Sequence, residues 1–378
     1  MNILITVGIF PPDIGGPASF VPKISDFLID NGHNVKIICL SEVENIHTED
    51  NLDVIRIKRS NNLPIRWVKT IYQIVKNGRR SDLIFVNGLG VESTIANLVL
   101  KKQLIRKIVG DPVWERAYNQ KRTTESFDDF QNNKHSFLIE IQKLLRNWSI
   151  NSAEIVVTPS DHLKNFVSGI GYNNKILKIN NGVDITDIKR ANVHKSNINL
   201  IIISRLVVQK NINIVIEAMK LLDNKNLKLS IIGEGGEFSK LESEIQDLNL
   251  QNRVQLLGKI DNREISQFLL TADIFIQASD YEGLPHSVLE AINYEVPILS
   301  TEAGGCKDLL NDGERGFIIP MPPDKKIIAE NISFIIENKA EATKRAAEAK
   351  TFINKKYNFL VQANQYMKIF QQNQKIEL

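Results

Sequence analysis

The chain has 378 residues, which is long enough for two domains, each with its own buried core. Its composition, 43% hydrophobic and 24% charged residues, is that of a soluble globular protein and argues against a disordered or low-complexity chain. The net charge of +3 is too small to indicate nucleic acid as a partner. The two distant cysteines, Cys39 and Cys306, suggest neither a disulfide framework nor a zinc site, so we expect a cytoplasmic location.

The predicted elements alternate between strand and helix from the first residues. The opening stretch, MNILITVGIF, lacks a basic signal-peptide region and is too short to span a bilayer, so it is interpreted as a buried strand. A helical pattern follows over residues 17–31, and the later apolar runs are NVKIICL, DVIRI, DLIFVN, LIRKIVG, AEIVVTPS and KILKINNGV. Such runs, most of them followed by a segment of helix length, predict a parallel sheet covered on both faces.

The same alternation restarts after a polar stretch, GVDITDIKRANVHKSN, at residues 182–197, which is the best candidate for a linker. The strands predicted beyond it are INLIIIS, LKLSIIG, RVQLLG, DIFIQA, VPILST and GFIIP. We therefore predict an α/β protein with two facing Rossmann-like domains, residues 1–181 and 182–357. Ligands of such sheets bind at the carboxyl ends of the strands, which predicts a central cleft between the domains.

A glycine-rich turn, PPDIGGPASF, follows the first predicted strand. Gly15 and Gly16 allow a close approach of backbone and ligand, and Pro17 suits the first turn of a helix whose free amides attract an anion. The turn is not a G-x-G-x-x-G fingerprint and lacks the acid that a dinucleotide ribose needs, so an NAD site is disfavoured. An ordinary strand-to-helix turn is the alternative.

Cations and glycines also follow the strands of the second domain. Arg205 and Lys210 come after its first strand and would face a bound anion, unless they are ordinary solvated charges. Gly233, Gly258 and the pair at 304–305 close further strands, and each alone is explained as a turn. Together, these sites at successive strand ends predict a pocket for a nucleoside diphosphate.

Two acids flank a turn in the stretch SDYEGLPHSVLEAI. Pro285 suits a helix start, so Glu282 and Gly283 are predicted to lie in the preceding loop and Glu290 within the helix. Because the helix start itself favours an anion, carboxylates beside it indicate a ligand that carries hydroxyl groups as well as phosphate. The alternative is that Glu282 complements the helix dipole and Glu290 is a surface acid.

In these motifs the chain resembles the retaining glycosyltransferases of the GT-B fold, family 4. The motifs are GGP at 15–17, NNGVD at 180–184, SRL followed by Lys210, IIGEG, LLGKI, the pair Glu282 and Glu290, and GGCKDLL. The resemblance implies a donor domain at 182–357 that holds a UDP- or GDP-sugar and an acceptor domain at 1–181 for a saccharide or lipid-linked acceptor. It also implies that a C-terminal helix at about 358–378 packs back on the first domain.

The resemblance further implies a role for each site residue. Arg205 and Lys210 would neutralise the diphosphate leaving group without a metal or cofactor. Glu282 would contact sugar hydroxyls, and Glu290 would bind the ribose. The amides of Gly283 and Leu284 would hold sugar or phosphate, and backbone near Lys259 and Ile260 would face the base.

One position departs from the family pattern. Relatives commonly carry a histidine at the end of a first-domain strand, where this chain has Gly110 and Asp111. Asp111 would orient a sugar, or it belongs to an Asp-Pro turn. The implied reaction retains the anomeric configuration and serves polysaccharide or glycolipid synthesis. The alternatives are a nucleotide-sugar epimerase of the same fold and a catalytically silent sugar-nucleotide-binding partner.

A basic segment, LPIRWVKTIYQIVKNGRR at residues 63–80, contains no acid. On a helix, Arg66, Lys69, Lys76 and Arg80 fall on one side and Trp67 lies among the apolar residues of the other side. Such a face fits peripheral contact with an anionic membrane. A helix that packs on its sheet with a solvated basic face is the alternative.

Overall fold

The computed structural model describes residues 1–13, 15–42, 52–185 and 197–372. The chain divides into two compact units. Unit 1 comprises residues 1–113, 134–179 and 362–378, and unit 2 comprises residues 114–133 and 180–361. Most of the predicted linker, residues 186–196, lies outside the described residues.

The described strands form two parallel sheets. The strands are β1 (Asn2–Val7), β2 (Asn34–Ser41), β3 (Asp53–Lys58), β4 (Leu83–Asn87), β5 (Gln103–Lys107), β6 (Ile155–Thr158), β7 (Lys175–Lys178), β8 (Ile198–Ile203), β9 (Leu227–Ile232), β10 (Val254–Gly258), β11 (Ile274–Gln277), β12 (Ile298–Thr301) and β13 (Phe317–Ile319). Their order is β3-β2-β1-β4-β5-β6-β7 in unit 1 and β10-β9-β8-β11-β12-β13 in unit 2. The predicted α/β fold with two parallel sheets is confirmed.

Helices connect the strands. They are α1 (Gly16–Asp30), α2 (Leu63–Gly78), α3 (Gly90–Leu100), α4 (Pro112–Asn119), α5 (Phe127–Asn132), α6 (Phe137–Asn151), α7 (Asp161–Gly169), α8 (Ile212–Leu221), α9 (Phe238–Asp247), α10 (Asn262–Thr271), α11 (His286–Asn293), α12 (Gly305–Leu310), α13 (Lys325–Glu337), α14 (Lys339–Lys356) and α15 (Phe359–Gln372). None of those described is long and apolar enough to cross a membrane.

The central strands are apolar along their whole length because both faces of each sheet are covered. In β8, Leu200 and Ile202 belong to one hydrophobic cluster of unit 2, whereas Ile201 and Ile203 belong to another. Successive side chains of a strand point to opposite faces, so a strand between two helical layers needs an uninterrupted apolar run. This explains why the strands can be predicted from apolar runs in the sequence.

Each sheet has one point at which the strand order reverses. In unit 2, the chain runs outward from β8 to β10 and then returns to place β11 on the other side of β8. The loops that follow β8 and β11 therefore diverge, and the carboxyl ends of these neighbouring strands border a crevice. The candidate residues Lys210 and Glu282 come from these two loops.

Candidate functional site

The centre of the candidate site is a carboxylate held by two donors. Lys210, in a 3-10 turn at Val208–Lys210, forms an ion pair with Oε1 of Glu282. The hydroxyl of Ser279 donates to the same oxygen at 2.8 Å. Both side chains of the ion pair are largely buried. Charged groups removed from water interact strongly with each other and with any charged ligand that reaches them.

The loop that carries Glu282 is fixed from several sides. The amide of Asp280 donates to the carbonyl of Gln209 at 2.9 Å, and Nδ2 of Asn211 donates to Asp280 Oδ1 at 2.7 Å. Nδ2 of the buried Asn181, in the NNGVD motif, donates to the carbonyl of Leu284 at 2.9 Å. These bonds set the backbone on both sides of Glu282, so its carboxylate is positioned before a ligand arrives.

Glycine is required where the loop after β12 meets this region. Gly304 has φ of +50°, and a Cβ atom built there would lie 1.7 Å from the carbonyl oxygen of Glu282. The amide of Gly305 donates to that same carbonyl at 3.2 Å. No side chain larger than hydrogen fits this approach, which ties the GGCKDLL motif to the Glu282 loop.

The loop and helix after β11 have the predicted local structure. Gly283 and Leu284 are buried in the loop, Pro285 is the N-cap of α11, and Glu290 lies in the second turn of that helix with its side chain partly exposed. Side chains of a helix tilt toward its N-terminus, so Glu290 leans toward the end that begins beside Glu282. Two acids thus flank the free amides of one helix start.

The remaining predicted contacts lie at the other strand ends of unit 2. Gly233 has φ of +143°, and a Cβ atom there would lie 1.8 Å from the carbonyl oxygen of Ser204, so the ends of β8 and β9 touch through backbone alone. The amide of Gly233 donates to the carbonyl of Gly258 at 2.9 Å. Lys259 and Ile260 follow directly, with Lys259 exposed and Ile260 half-buried.

Arg205 is engaged by an acid that the sequence did not single out. Its guanidinium donates to Glu115 Oε2 at 3.2 Å and is about half exposed. Glu115 belongs to α4, in the segment 114–133 that the contacts assign to unit 2. An acid therefore competes for the cation that is predicted to meet a diphosphate.

Aromatic stacking holds this segment on the site loop. The ring of Phe127 stacks on Tyr281, the neighbour of Glu282, with centroids 4.2 Å apart and planes 3° apart, and Trp114 meets Tyr281 edge-on at 5.3 Å. Tyr118 donates to Asp280 Oδ2 at 2.6 Å. Burial raises the pKa of both Tyr118 and Asp280, and the hydrogen bond raises that of the tyrosine further.

The candidate residues of unit 1 are of two kinds. Gly15 is the N-cap of α1 and Gly16 its first residue, so this turn opens a helix as predicted. Asp111 is 0% exposed, and its carboxylate accepts from Arg146 and from the amide of Val113. This geometry is that of a buried structural pair, and a role for Asp111 toward a sugar stays a prediction.

Sequence reasoning missed the groups that position the site. Ser279 and Asp280 stand in the polar run that follows β11, and that run was the available signal for them. Glu115 and Tyr118 gave no comparable signal, because their contacts join residues more than 80 positions apart. Among the described residues, no cluster of three or more His, Cys, Asp or Glu could hold a metal ion. The expected lack of a metal requirement remains a prediction.

Comparison with solved structures defines the class of fold. Sucrose-phosphate synthase from Thermosynechococcus elongatus superposes with a TM-score of 0.82 at 17% identity and covers 98% of each chain. HepE from Anabaena, in complex with UDP-glucose, gives a TM-score of 0.76 at 18% identity over 98% of this chain and 99% of its own. The predicted GT-B fold is confirmed.

The family match falls on unit 2. Residues 184–352 match the family described as glycosyl transferases group 1. Poly(glycerol-phosphate) alpha-glucosyltransferase of Bacillus subtilis is 35% identical over 131 residues, which are 34% of this chain and 19% of that protein. The chain spans 19–40% of the length of the first curated relatives that it matches. The similarity to this family thus lies in the unit that carries Lys210 and Glu282.

Proposed function

We propose that the chain is a retaining, metal-independent glycosyltransferase of family 4 that moves a sugar from a nucleotide-diphosphate sugar to a saccharide or lipid-linked acceptor. The observation that supports this most directly is the Lys210–Glu282 pair at the β8–β11 crevice, beside the amides of Gly283 and Leu284. A cation for phosphate and a carboxylate for hydroxyls at one point match a ligand with both groups.

Lys210 and Arg205 would stabilise the charge that develops on the leaving diphosphate. As the bond from the anomeric carbon to the diphosphate oxygen breaks, negative charge grows on that oxygen, and fixed cations lower the barrier. The acceptor oxygen would bond to the anomeric carbon from the same face, and its proton would pass to the departing phosphate oxygen. Retention then requires no side-chain nucleophile.

Glu282 would exchange one partner for another when donor binds. Lys210 turns to phosphate, and the freed carboxylate accepts from hydroxyls of the transferred sugar, with Ser279 still holding one of its oxygens. Glu290 would accept from the ribose hydroxyls. The main contribution of these residues is position and charge.

We take UDP as the first donor nucleotide to test and GDP as the second. The support is HepE, whose structure contains UDP-glucose on the same fold. A polysaccharide or glycolipid precursor is the proposed acceptor class, and the proposed location is the cytoplasm with peripheral contact to an anionic membrane. Both cysteines are free and buried, which fits a reducing compartment.

The test is a panel of UDP- and GDP-sugars in which nucleotide release is measured with and without saccharide and lipid-linked acceptors. We expect acceptor-dependent release that Lys210→Ala lowers about 100-fold or more. Lys325→Ala, which breaks an exposed pair with Glu217, is the matched control. Thermal melting of each variant separates loss of function from loss of folding.

The outcomes separate the alternatives. An epimerase would convert the donor without acceptor, and a silent binding partner would bind the nucleotide but neither convert nor transfer it. Unchanged transfer by folded Lys210→Ala and Glu282→Ala variants would show that the site assignment is wrong. Transfer that chelators abolish would show that the reaction depends on a metal ion.

A further inference from the structure

Helix α6 exposes a stripe of large apolar side chains, which a surface helix usually turns toward the interior. Its exposed side carries apolar residues, with Phe137 83% and Leu144 68% exposed, and the complete exposed set is Phe137, Leu138, Leu144, Leu145 and Trp148. These positions recur at helical spacing and form a stripe about 17 Å long. Exposed apolar stripes of this kind mark interaction surfaces.

The buried side of α6 combines the apolar residues Ile139 and Ile150 with two cations that have partners. Arg146 is buried, pairs with Asp111 and lies 5.1 Å from the ring centre of Phe166. Lys143 is also buried and contacts Glu140 and His135. The buried cations thus fix the rotation of α6, and the apolar stripe is held outward by the fold.

The apolar surface continues across the neighbouring helices of unit 1. Helix α3 packs against both α2 and α6, and the hydroxyl of Thr94 on α3 donates to the backbone carbonyl of Ser149 on α6 at 3.5 Å. Further apolar side chains are exposed on these helices: Leu63, Ile65, Val68 and Tyr72 on α2, and Leu98 and Val99 on α3. We call this set, with the α6 stripe, the α2–α3–α6 surface.

The exposed charge on this surface is mostly positive, with Asp82 as an exposed acid close to Arg80 at the end of α2. The stripe of α2 continues from Val68 and Tyr72 into the exposed cations Lys69 and Lys76, and further exposed cations follow the helices at Arg79, Arg80 and Lys101. The three helices contain two acids, Glu92 and Glu140, and neither is fully exposed. Arg66, in contrast, is partly buried and donates to the carbonyl of Arg59 at 3.1 Å.

We infer that the α2–α3–α6 surface docks on an anionic lipid bilayer, which names the partner surface for the membrane contact proposed above. Apolar and aromatic side chains beside an excess of exposed cations match the boundary between anionic headgroups and acyl chains. A second copy of the chain would bring the same cations together and repel. The charge therefore favours lipid over self-association.

The docking mode follows from the geometry. Leu144 and Trp148 of α6 and Val68 of α2 enter the headgroup region, while Lys69 and Lys76 contact lipid phosphates. The helices lie along the membrane and none inserts across it, because the described helices are too short and too polar to span. Unit 1 is thereby held at the membrane surface, where a lipid-linked acceptor would be found. This consequence rests on the proposed function.

The experiment is co-sedimentation of the purified full chain with vesicles of phosphatidylcholine alone or with 30% phosphatidylglycerol, at about 50 and about 300 mM salt. We expect binding to the anionic vesicles that weakens at high salt. Leu144→Asp and Val68→Asp, at exposed positions on two different helices, each lower the partition coefficient about tenfold or more. Leu221→Asp, at an exposed position on α8 of unit 2, leaves it unchanged.

A charge-matched pair tests the electrostatic part. The double variant Lys69→Gln/Lys76→Gln should lower partitioning about fivefold for each cation lost. The control Lys339→Gln/Lys355→Gln has the same net charge but loses two exposed cations of unit 2, and it should not change partitioning. No binding by the wild-type chain, or equal binding by Leu144→Asp, overturns the proposal. So does a dimer in sedimentation that Leu144→Asp dissociates. Nucleotide release with a soluble acceptor is measured separately, so failure here leaves the transferase proposal to its own test.

Discussion

Among single residues, the ion pair between Arg205 and Glu115 has the most direct consequence for ligand binding. Both groups are exposed enough to exchange partners with solvent, and their nitrogen and oxygen atoms lie 3.2 Å apart. Screening makes such a pair weak in itself. Its effect is instead on Arg205, which must release the carboxylate before it can bind phosphate.

We therefore expect Glu115→Gln to tighten UDP binding by about threefold to tenfold, since it removes a competing negative charge beside the proposed diphosphate. Titration calorimetry with UDP measures this. Glu217→Gln, which neutralises an acid paired with Lys325, is the matched control and should not change affinity. Weaker UDP binding by Glu115→Gln would mean that the acid supports the ligand instead of competing with it.

Gly304 lies against the backbone carbonyl of Glu282, where there is no room for a side chain. A methyl group there would collide with the carbonyl of Glu282, and φ of +50° is strained for alanine. Gly304→Ala should lower the free energy of unfolding by about 2–3 kcal/mol and weaken UDP binding through the displaced loop. Urea unfolding and UDP titration measure the two effects. Gly236→Ala, where an added Cβ atom meets nothing within 4 Å, should change neither.

Among the elements, the strands could be predicted from the sequence, whereas the tertiary contacts of the connecting segments could not. Every strand of the described structure coincides with a predicted apolar run, because a parallel sheet covered on both faces needs such runs. The docking of residues 114–133 on unit 2 depends on the stack of Phe127 on Tyr281, a contact that no local pattern encodes. In α6, large apolar side chains such as Phe137 and Leu144 are exposed, although an amphipathic pattern alone would assign them to the interior.

A lysine is buried at the end of β5, at a position that no pattern in the sequence assigns to the interior. Lys107 is 4% exposed, and its ammonium lies 3.4 Å from the ring centre of Phe20 on α1 and 5.7 Å from that of Tyr366 on α15. Burial lowers its pKa to about 7. The neutral form is thus favoured in the folded chain, and the aromatic rings offset part of the cost of the charged form.

This lowered pKa makes the stability of unit 1 depend on pH. A depressed lysine pKa contributes stability that is complete above the unfolded value of 10.5 and is lost as pH falls to about 7. Relative to Lys107→Met, the wild-type chain should gain about 3 kcal/mol of unfolding free energy between pH 7 and pH 9.5. Urea unfolding of both chains at the two pH values tests this. A constant difference between them would show that Lys107 does not titrate in this range.

In the whole molecule, the last described helix returns to the unit that the first residues build. In α15, residues from Gln362 onward belong to unit 1, where Tyr366 and Phe370 meet Phe85 of β4 with ring centres 5.3 and 5.4 Å apart. The core of unit 1 therefore needs residues from both ends of the chain. The proposed donor residues Lys210 and Glu282 lie wholly in unit 2, so the two units should respond differently to a change in α15.

Phe370→Ala should lower the stability of unit 1 by about 3–5 kcal/mol, because it removes a ring that is 1% exposed and leaves a cavity. Leu360→Ala, at a 58% exposed position of the same helix, should change it by less than about 0.5 kcal/mol. UDP at 100 times its dissociation constant should raise the stability of unit 2 by about 2.7 kcal/mol in both variants. Calorimetric unfolding with and without UDP would resolve the two effects. If Phe370→Ala also abolished stabilisation by UDP, the donor site would depend on the packing of unit 1, and the assignment of the site to unit 2 alone would be wrong.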